Sequence, residues 1–392
     1  MNFEEFKNQL RQGIESLRSK HGYLNAGYPR YNTLFGRDSI ISAWQMLQID
    51  PSIAKATLLM LSKFQGRSID PKSEEEPGKI LHEYRFDPQD QAELCEWKFP
   101  YYGSIDSTPL FIILAEKYLK ETNDIRLISQ IWENLLAALT WIIQHGDTDG
   151  DGYIEYQRKN PYGLFHQGWR DSSEDSLKIK PPVAIVEAQG YVYTAYYSII
   201  SIMEAINKNK DKASEEIRKR AILLKKKFNQ DFWMPREKYL ALALDGTKKQ
   251  KKVVSSNAGH LLFTGIVDDD KRDFVINRLF QKDMWTPYGI RTHSVLAPDY
   301  NPYSYHLGSI WPQDNWIIYT GLQKFGYFLQ AEKIKQALLR TYKELHKIPE
   351  YYIVIDNRII DPSIPTKNLF YVRANPLQAW ANAALLEMLI NE

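Results

Sequence analysis

Twelve stretches of helical periodicity run through this chain, and the gaps between them alternate strictly between very short and very long. That alternation constrains the fold more than any single motif. Apolar residues at Ile334, Ala337, Leu338, Tyr342 and Leu345 share one helical face. Ser107-Thr108-Pro109 and Asn375-Pro376-Leu377-Gln378 read as helix starts, each with a capping side chain and an early proline, the second with Gln378 placed to close a capping box. The pattern places helices at residues 3–20, 38–49, 51–64, 107–121, 124–145, 182–208, 211–229, 256–265, 269–281, 308–325, 328–347 and 375–391. Loops of about 16 to over 40 residues follow the odd-numbered helices, whereas one to three residues follow the even-numbered ones.

Short links force neighbouring helices antiparallel. Six such hairpins closed into a ring would gather every long loop around one mouth. The expected fold is therefore all-α, an (α/α)6 barrel or six-hairpin toroid, with its site at the loop-rich end. An open helical solenoid shares the alternation, but no repeating 34- or 40-residue consensus is found. No Pro/Gly/Ser-rich linker divides the chain, so residues 1–392 are expected to form one catalytic domain, although length alone suggests two or three.

Charge and composition remove several classes of function. With 50 basic against 48 acidic residues, the chain lacks the strongly basic balance of a nucleic-acid protein. The run Lys225-Lys226-Lys227 lies opposite the apolar positions Ile217, Ala221, Leu224 and Phe228, as a solvated helix face would. No apolar run is long enough to span a membrane, and Met1-Asn2-Phe3-Glu4-Glu5 lacks a secretory pattern. Cys95 is the only cysteine, so no internal disulfide forms, and a cytoplasmic location is expected. The 10 Trp, 25 Tyr and 16 Phe fall largely between helices, where flat faces suit the C–H faces of sugar rings.

The long loops hold the residues with chemistry. The first ends in Phe35-Gly36-Arg37-Asp38-Ser39, where Asp38 is either a helix cap or, with Arg37, a partner for adjacent sugar hydroxyls. The second carries Glu83 and Asp106, candidate sugar-binding carboxylates or loop-stabilising groups. In the third, Gly168-Trp169-Arg170-Asp171-Ser172-Ser173-Glu174-Asp175 sets carboxylates beside an aromatic ring. Burial against Trp169 and repulsion from Glu174 or Asp175 would raise a carboxyl pKa there. Upstream, Asp147-Thr148-Asp149-Gly150-Asp151-Gly152 begins like a calcium loop, but its twelfth position is Arg158 rather than a bidentate Glu. A tight Asp/Gly turn with no cofactor is the favoured reading, and calcium at Asp147, Asp149 and Asp151 the alternative. The fifth loop, with Tyr305, His306 and Trp311, reads as a sugar platform or an aromatic plug. In the sixth, Pro349-Glu350-Tyr351 fixes a carboxylate fit for a base or for a tyrosine hydroxyl. There is no phosphate loop, no Cys/His metal spacing and no serine nucleophile elbow.

Taken in order, Phe35-Gly36-Arg37-Asp38-Ser39, Gly78-Lys79-Ile80-Leu81-His82-Glu83, Tyr102-Gly103-Ser104-Ile105-Asp106-Ser107-Thr108-Pro109, Ser256-Asn257-Ala258-Gly259-His260 and Tyr305-His306-Leu307-Gly308-Ser309-Ile310-Trp311-Pro312-Gln313-Asp314-Asn315 resemble the amylo-α-1,6-glucosidase family. This is the catalytic domain of glycogen debranching enzymes, among the six-hairpin glycosidases. The resemblance implies an (α/α)6 barrel and inverting hydrolysis, with Asp171 as general acid and Glu350 as general base. It also implies that Arg37, Asp38, Trp311, His306 and Glu187 hold the terminal sugar; Phe35, Trp169 and Tyr305 are further candidate sugar contacts. The chain lacks the accessory and transferase domains of full debranching enzymes. That departure leaves a small α-glucoside or α-mannoside, such as a glycosylglycerate, as the alternative to an oligosaccharide. A sugar epimerase using histidines and a non-catalytic carbohydrate-binding protein are the other readings.

Overall fold

The computed structural model describes residues 3–208, 211–365 and 372–390. Its helices are α1 (Phe3–Ser16), α2 (Gly36–Gln45), α3 (Pro51–Lys63), the short α4 (Pro88–Ala92), α5 (Ser107–Thr122), α6 (Ile125–Gln130), α7 (Trp132–Gln144), α8 (Val186–Ala205), α9 (Asp211–Asp231), α10 (Leu261–Thr264), α11 (Asp269–Leu279), α12 (Pro312–Lys324), α13 (Phe328–Leu345) and α14 (Ala379–Ile390). A 3₁₀ turn over Ser256–His260 leads directly into α10.

Six helices form a closed inner ring. Helices α2, α5, α8, α10, α12 and α14 each pack against the next, and α14 closes on α2. Around them lie α1 on α14, α3 against α2 and α5, α7 against α5 and α8, α9 on α8, α11 on the 3₁₀ turn, and α13 against α12 and α14. Composition explains which helix goes where. In α14, Ala379-Trp380-Ala381 and Ala383-Ala384-Leu385-Leu386 are buried on every side, as an inner helix requires. In α13, only a stripe including Ile334, Leu338 and Tyr342 is buried, and its charged face meets solvent. The fold is an (α/α)6 barrel, as the alternation of loop lengths requires.

Each long loop leads into an inner helix, so the N-termini of all six face the same mouth. The start of each is polar: Arg37 and Asp38 in α2, Asp106 at the cap of α5, Glu187 in α8, Asn257 and His260 before α10, Asp314 in α12 and Gln378 just before α14. The five longer inner helices thus turn their partly positive N-terminal ends toward the mouth.

Several helix starts differ from the sequence expectation for one shared reason. Residues assigned to first turns are drawn into two-residue antiparallel ladders that brace the loops. Leu377 and Gln378 pair with Tyr28 and Gly27, so α14 opens at Ala379 rather than with a capping box at Asn375. Ala184 and Ile185 pair with Leu244 and Ala243, which delays α8 to Val186. The expected helix at 124–145 is two helices, broken at Ile131. Residue 391, expected in the last helix, lies outside the described residues. The buried apolar side chains form one continuous cluster reaching from Phe6 to Leu389. Among the described residues, no helix is long and apolar enough to cross a membrane.

Candidate active site

At the loop-rich mouth lies a cavity of about 500 Å³. Of the residues singled out in the sequence, Phe35, Arg37, Asp38, Glu83, Trp169, Asp171, Tyr305, Trp311 and Glu350 line it. The two candidate catalytic carboxylates, 179 positions apart in the chain (350 − 171), therefore face one space.

Arg37 organises one wall. Its Nη1 donates to both oxygens of Asp106, at 3.2 and 3.1 Å, and to the Gly168 carbonyl at 2.9 Å. Its Nη2 donates to Asp171 Oδ2. The guanidinium is almost wholly buried, and Asp38 Oδ2 lies 3.9 Å from Nε. Gly36 makes this placement possible. Its amide donates to the His82 carbonyl at 2.9 Å, and a Cβ there would stand 2.0 Å from Leu81 O. Only glycine lets α2 start so close to the second loop.

Glu350 is fixed from both ends of its carboxylate. Tyr305 OH donates to Oε1, and the Asn375 amide donates to Oε2 at 2.8 Å. Asp171 differs. Its side chain is 24% exposed, only Oδ2 is engaged, and among the described residues no hydrogen bond reaches Oδ1. Burial raises the Glu350 carboxyl to about 7, against the Tyr305 and Asn375 hydrogen bonds and with a contribution from the Asp171 charge. Burial likewise raises Asp171 to about 6, with Arg37 opposing and Asp106 adding. The expected burial is thus the main cause, but the expected repulsion from Glu174 or Asp175 is not part of it. Those residues are exposed in full or in part, and Asp175 is paired with His166 at 3.1 Å. Asp38 is pushed up to about 8 by burial and by Asp171, Glu350 and Asp106, so it holds a proton at neutral pH.

Three expected sugar-binding residues stand behind the wall instead of on it. Asp106 is fully buried beneath Arg37, with Ser104 Oγ donating to it at 2.9 Å. Glu187 is equally buried and accepts from Asn257 Nδ2 at 2.9 Å. His306 stacks under Trp311 at 5.2 Å and is held neutral by burial and by Arg170. Their positions fit support of the lining residues. Arg170 ties the layers together, donating to His293 Nδ1 at 3.0 Å, to the His306 carbonyl at 3.1 Å and to the Thr292 carbonyl. The loop bearing Asp171 is thereby fastened to the loop bearing Tyr305.

Of the histidines that an epimerase would need, His82 alone lines the cavity among the described residues, and burial with Arg37 keeps it neutral. The carboxylates of the calcium alternative have other partners in this structure. Asp147, Asp149 and Asp151 do cluster, but Lys248 Nζ sits 2.8 Å from Asp149, 3.0 Å from Asp151 and 2.8 Å from Glu155. Asp147 in turn accepts from the amides of Gly150, Asp151 and Gly152. The Lys248 ammonium thus competes for Asp149 and Asp151 oxygens that a calcium ion would use.

Sequence reasoning missed part of the lining: Arg30, Tyr31, Arg85, Trp97 and Trp380. Arg30 and Tyr31 lie a few residues before Phe35 in the same loop, and Trp380 directly follows Gln378-Ala379, so proximity was the available signal. The 85–97 segment carried none. It reaches the cavity because Arg85 donates to Glu83 at 2.5 Å, to the Asp90 carbonyl at 3.0 Å and to Glu93 at 3.1 Å.

The profile of the mannosylglycerate hydrolase MGH1-like glycoside hydrolase domain matches residues 31–356, which contain every residue of this wall except Arg30 and Trp380. The chain belongs to that family. It is a glycoside hydrolase. Within the MGH1-like family, the resemblance to the debranching catalytic domain holds at the level of enzyme class. Solved structures carry the same fold. A GH63 mannosylglycerate hydrolase from Thermus thermophilus, in complex with Tris and D-glycerate, matches with a TM-score of 0.73 at 13% identity, over 99% of this chain and 100% of that one. The same enzyme in complex with glucose matches with a TM-score of 0.73 at 13% identity, over 97% and 99%. A GH78 family rhamnosidase of Bacillus sp. GL1 matches at 12% identity and a TM-score of 0.66, over 98% of this chain but 34% of that one. No curated protein sequence matches this MGH1-like chain.

Proposed function

We propose that this enzyme hydrolyses a small α-linked glycoside with a carboxylated aglycone, of the mannosylglycerate or glucosylglycerate kind, with inversion at the anomeric carbon. The observation that carries the hydrolytic reading is the shared cavity of Asp171 and Glu350. Asp171, with Oδ1 open to the cavity, protonates the glycosidic oxygen as its bond to the anomeric carbon breaks. Glu350, held as an acceptor by Tyr305 and Asn375, takes a proton from the water that attacks the opposite face. Asp38, protonated at neutral pH, donates to a sugar hydroxyl, and Trp169, Trp311 and Trp380 supply apolar walls.

The aglycone follows from Arg30. Its guanidinium lines the cavity, donates to the Arg373 carbonyl at 2.5 Å and makes no ion pair among the described residues. A carboxylate on the leaving group would complete it. A cavity of about 500 Å³ also suits a disaccharide-sized molecule better than a branched glucan.

A panel of mannosylglycerate, glucosylglycerate, isomaltose and limit dextrin tests this reading. The glycosylglycerates should exceed the neutral substrates in kcat/KM by roughly 10–100-fold, the worth of one charged hydrogen bond, and Arg30→Gln should erase the difference. Preference for limit dextrin would overturn it and favour the debranching alternative.

The pH profile should be a narrow bell. Both carboxyls are raised, so the singly protonated pair dominates between about 6 and about 7. On these values the pair's single proton rests mostly on Glu350, so the productive form, with the proton on Asp171, is the minor tautomer. Activity falls below about 6 as the pair takes a second proton and above about 7 as it loses its last. Flat kcat/KM from pH 5 to 8 would contradict the assignment.

A further inference from the structure

The opposite end of the barrel, where the short links lie, holds a second cavity of about 890 Å³. Its walls are aromatic, with Trp44, Tyr193, Tyr197, Phe263 and Trp316 facing in. Three lysines, Lys117, Lys120 and Lys324, line the same space. Two of them have evident local duties. Lys120 pairs with Glu116, and Lys324 donates to the Phe263 carbonyl at 2.7 Å, answering a helix end. Just outside, Lys225 does the same for the Gly265 carbonyl at 2.9 Å.

Lys117 has no such role. It lies more than a turn before the end of α5, so it caps no terminal carbonyl. Its ammonium sits 4.2 Å from the centre of the Trp44 ring, and among the described residues it makes no hydrogen bond or ion pair. The carboxylates nearby do not complete it: Glu116 is held by Lys120, Glu387 accepts from Trp316 Nε1 at 2.9 Å, and Glu121 is exposed at the rim. Burial, with the charges of Lys324 and Lys120, lowers its amine to about 8 against the pull of Glu116. An unpaired cation in an aromatic cavity is costly, and an entering anion relieves that cost.

We propose that this floor cavity binds a small organic carboxylate, with Lys117 as its charge partner and the aromatic walls against its body. One unpaired cation among rings suits a monoanion with a flat or C–H-rich body better than a phosphate, which needs several donors. The site stands apart from the catalytic mouth, and the proposal does not depend on the hydrolytic reading.

Calorimetric titration of the whole chain with benzoate and with inorganic phosphate, at pH 8.5 in two buffers of different ionisation enthalpy, tests it. Benzoate should bind once per chain and take up roughly half a proton or more, because binding restores the charge of a partly neutral amine. Lys117→Arg should keep binding but lose the proton uptake. Lys117→Met should weaken binding about tenfold or more while leaving hydrolysis unchanged, and Asp171→Asn should leave binding intact. No binding of benzoate to the unaltered chain, binding that survives Lys117→Met, or phosphate bound in preference to benzoate would each overturn the proposal.

Discussion

Asp171→Asn and Glu350→Gln should each lower kcat by about 10²–10⁴-fold, equal to roughly 3–5 kcal/mol of barrier, while the circular dichroism spectrum stays that of a folded helical protein. Folding survives because each amide still meets its neighbours. In Asp171→Asn, Arg37 keeps both oxygens of Asp106 and the Gly168 carbonyl. In Glu350→Gln, the amide oxygen can accept from the Asn375 amide while its NH₂ donates to the Tyr305 hydroxyl, which then acts as acceptor. The two variants should separate when the leaving group is changed. A dinitrophenyl glycoside departs without protonation, so it should restore much of the rate to Asp171→Asn and little to Glu350→Gln. This comparison assigns the roles on kinetics, which matters because Glu350 titrates above Asp171 in the free cavity. Rescue of Glu350→Gln alone would exchange the two residues' roles.

Arg37→Met should have the largest effect on stability, a loss of about 3–5 kcal/mol in urea denaturation at neutral pH. The substitution strips the cation from Asp106, which is fully buried, and from Asp171 beside it. Much of the loss should disappear at acidic pH. A carboxyl deprived of its buried cation has a raised folded pKa, and such a group destabilises the fold only once pH exceeds its unfolded value. Arg37→Lys should behave differently. One ammonium keeps the charge but cannot span Asp106, the Gly168 carbonyl and Asp171 together, so stability should fall less while kcat drops about tenfold or more. Equal stability of Arg37→Met and the unaltered chain at pH 7 would show that Arg37 does not hold this wall together.

The barrel was legible because loop length reports helix direction, and direction repeated six times leaves little choice of topology. The placement of chemistry at the mouth followed, since every motif lies on a long loop or at the inner-helix start that it feeds. Depth was not legible. Asp38 and Asp106 look alike in sequence, each at the start of an inner helix, yet one lines the cavity and the other lies under Arg37. Lys248 was invisible from the aspartate loop because it arrives from nearly a hundred residues away (248 − 151 = 97). The helix starts expected at 182 and 375 were misplaced because the two-residue ladders at Ala184-Ile185 and Leu377-Gln378 leave no periodicity to read. The floor cavity had no motif at all. Trp44, Lys117, Phe263 and Trp316 sit on inner helices, and only ring closure brings them around one space.

Proton NMR of the first sugar released, recorded before mutarotation, tests the central claim most directly. An acid and a base acting across a water should turn an α-linked glycoside into the β-anomer of the free sugar. First appearance of the α-anomer would mean a double displacement, and Glu350 would then be no activator of water.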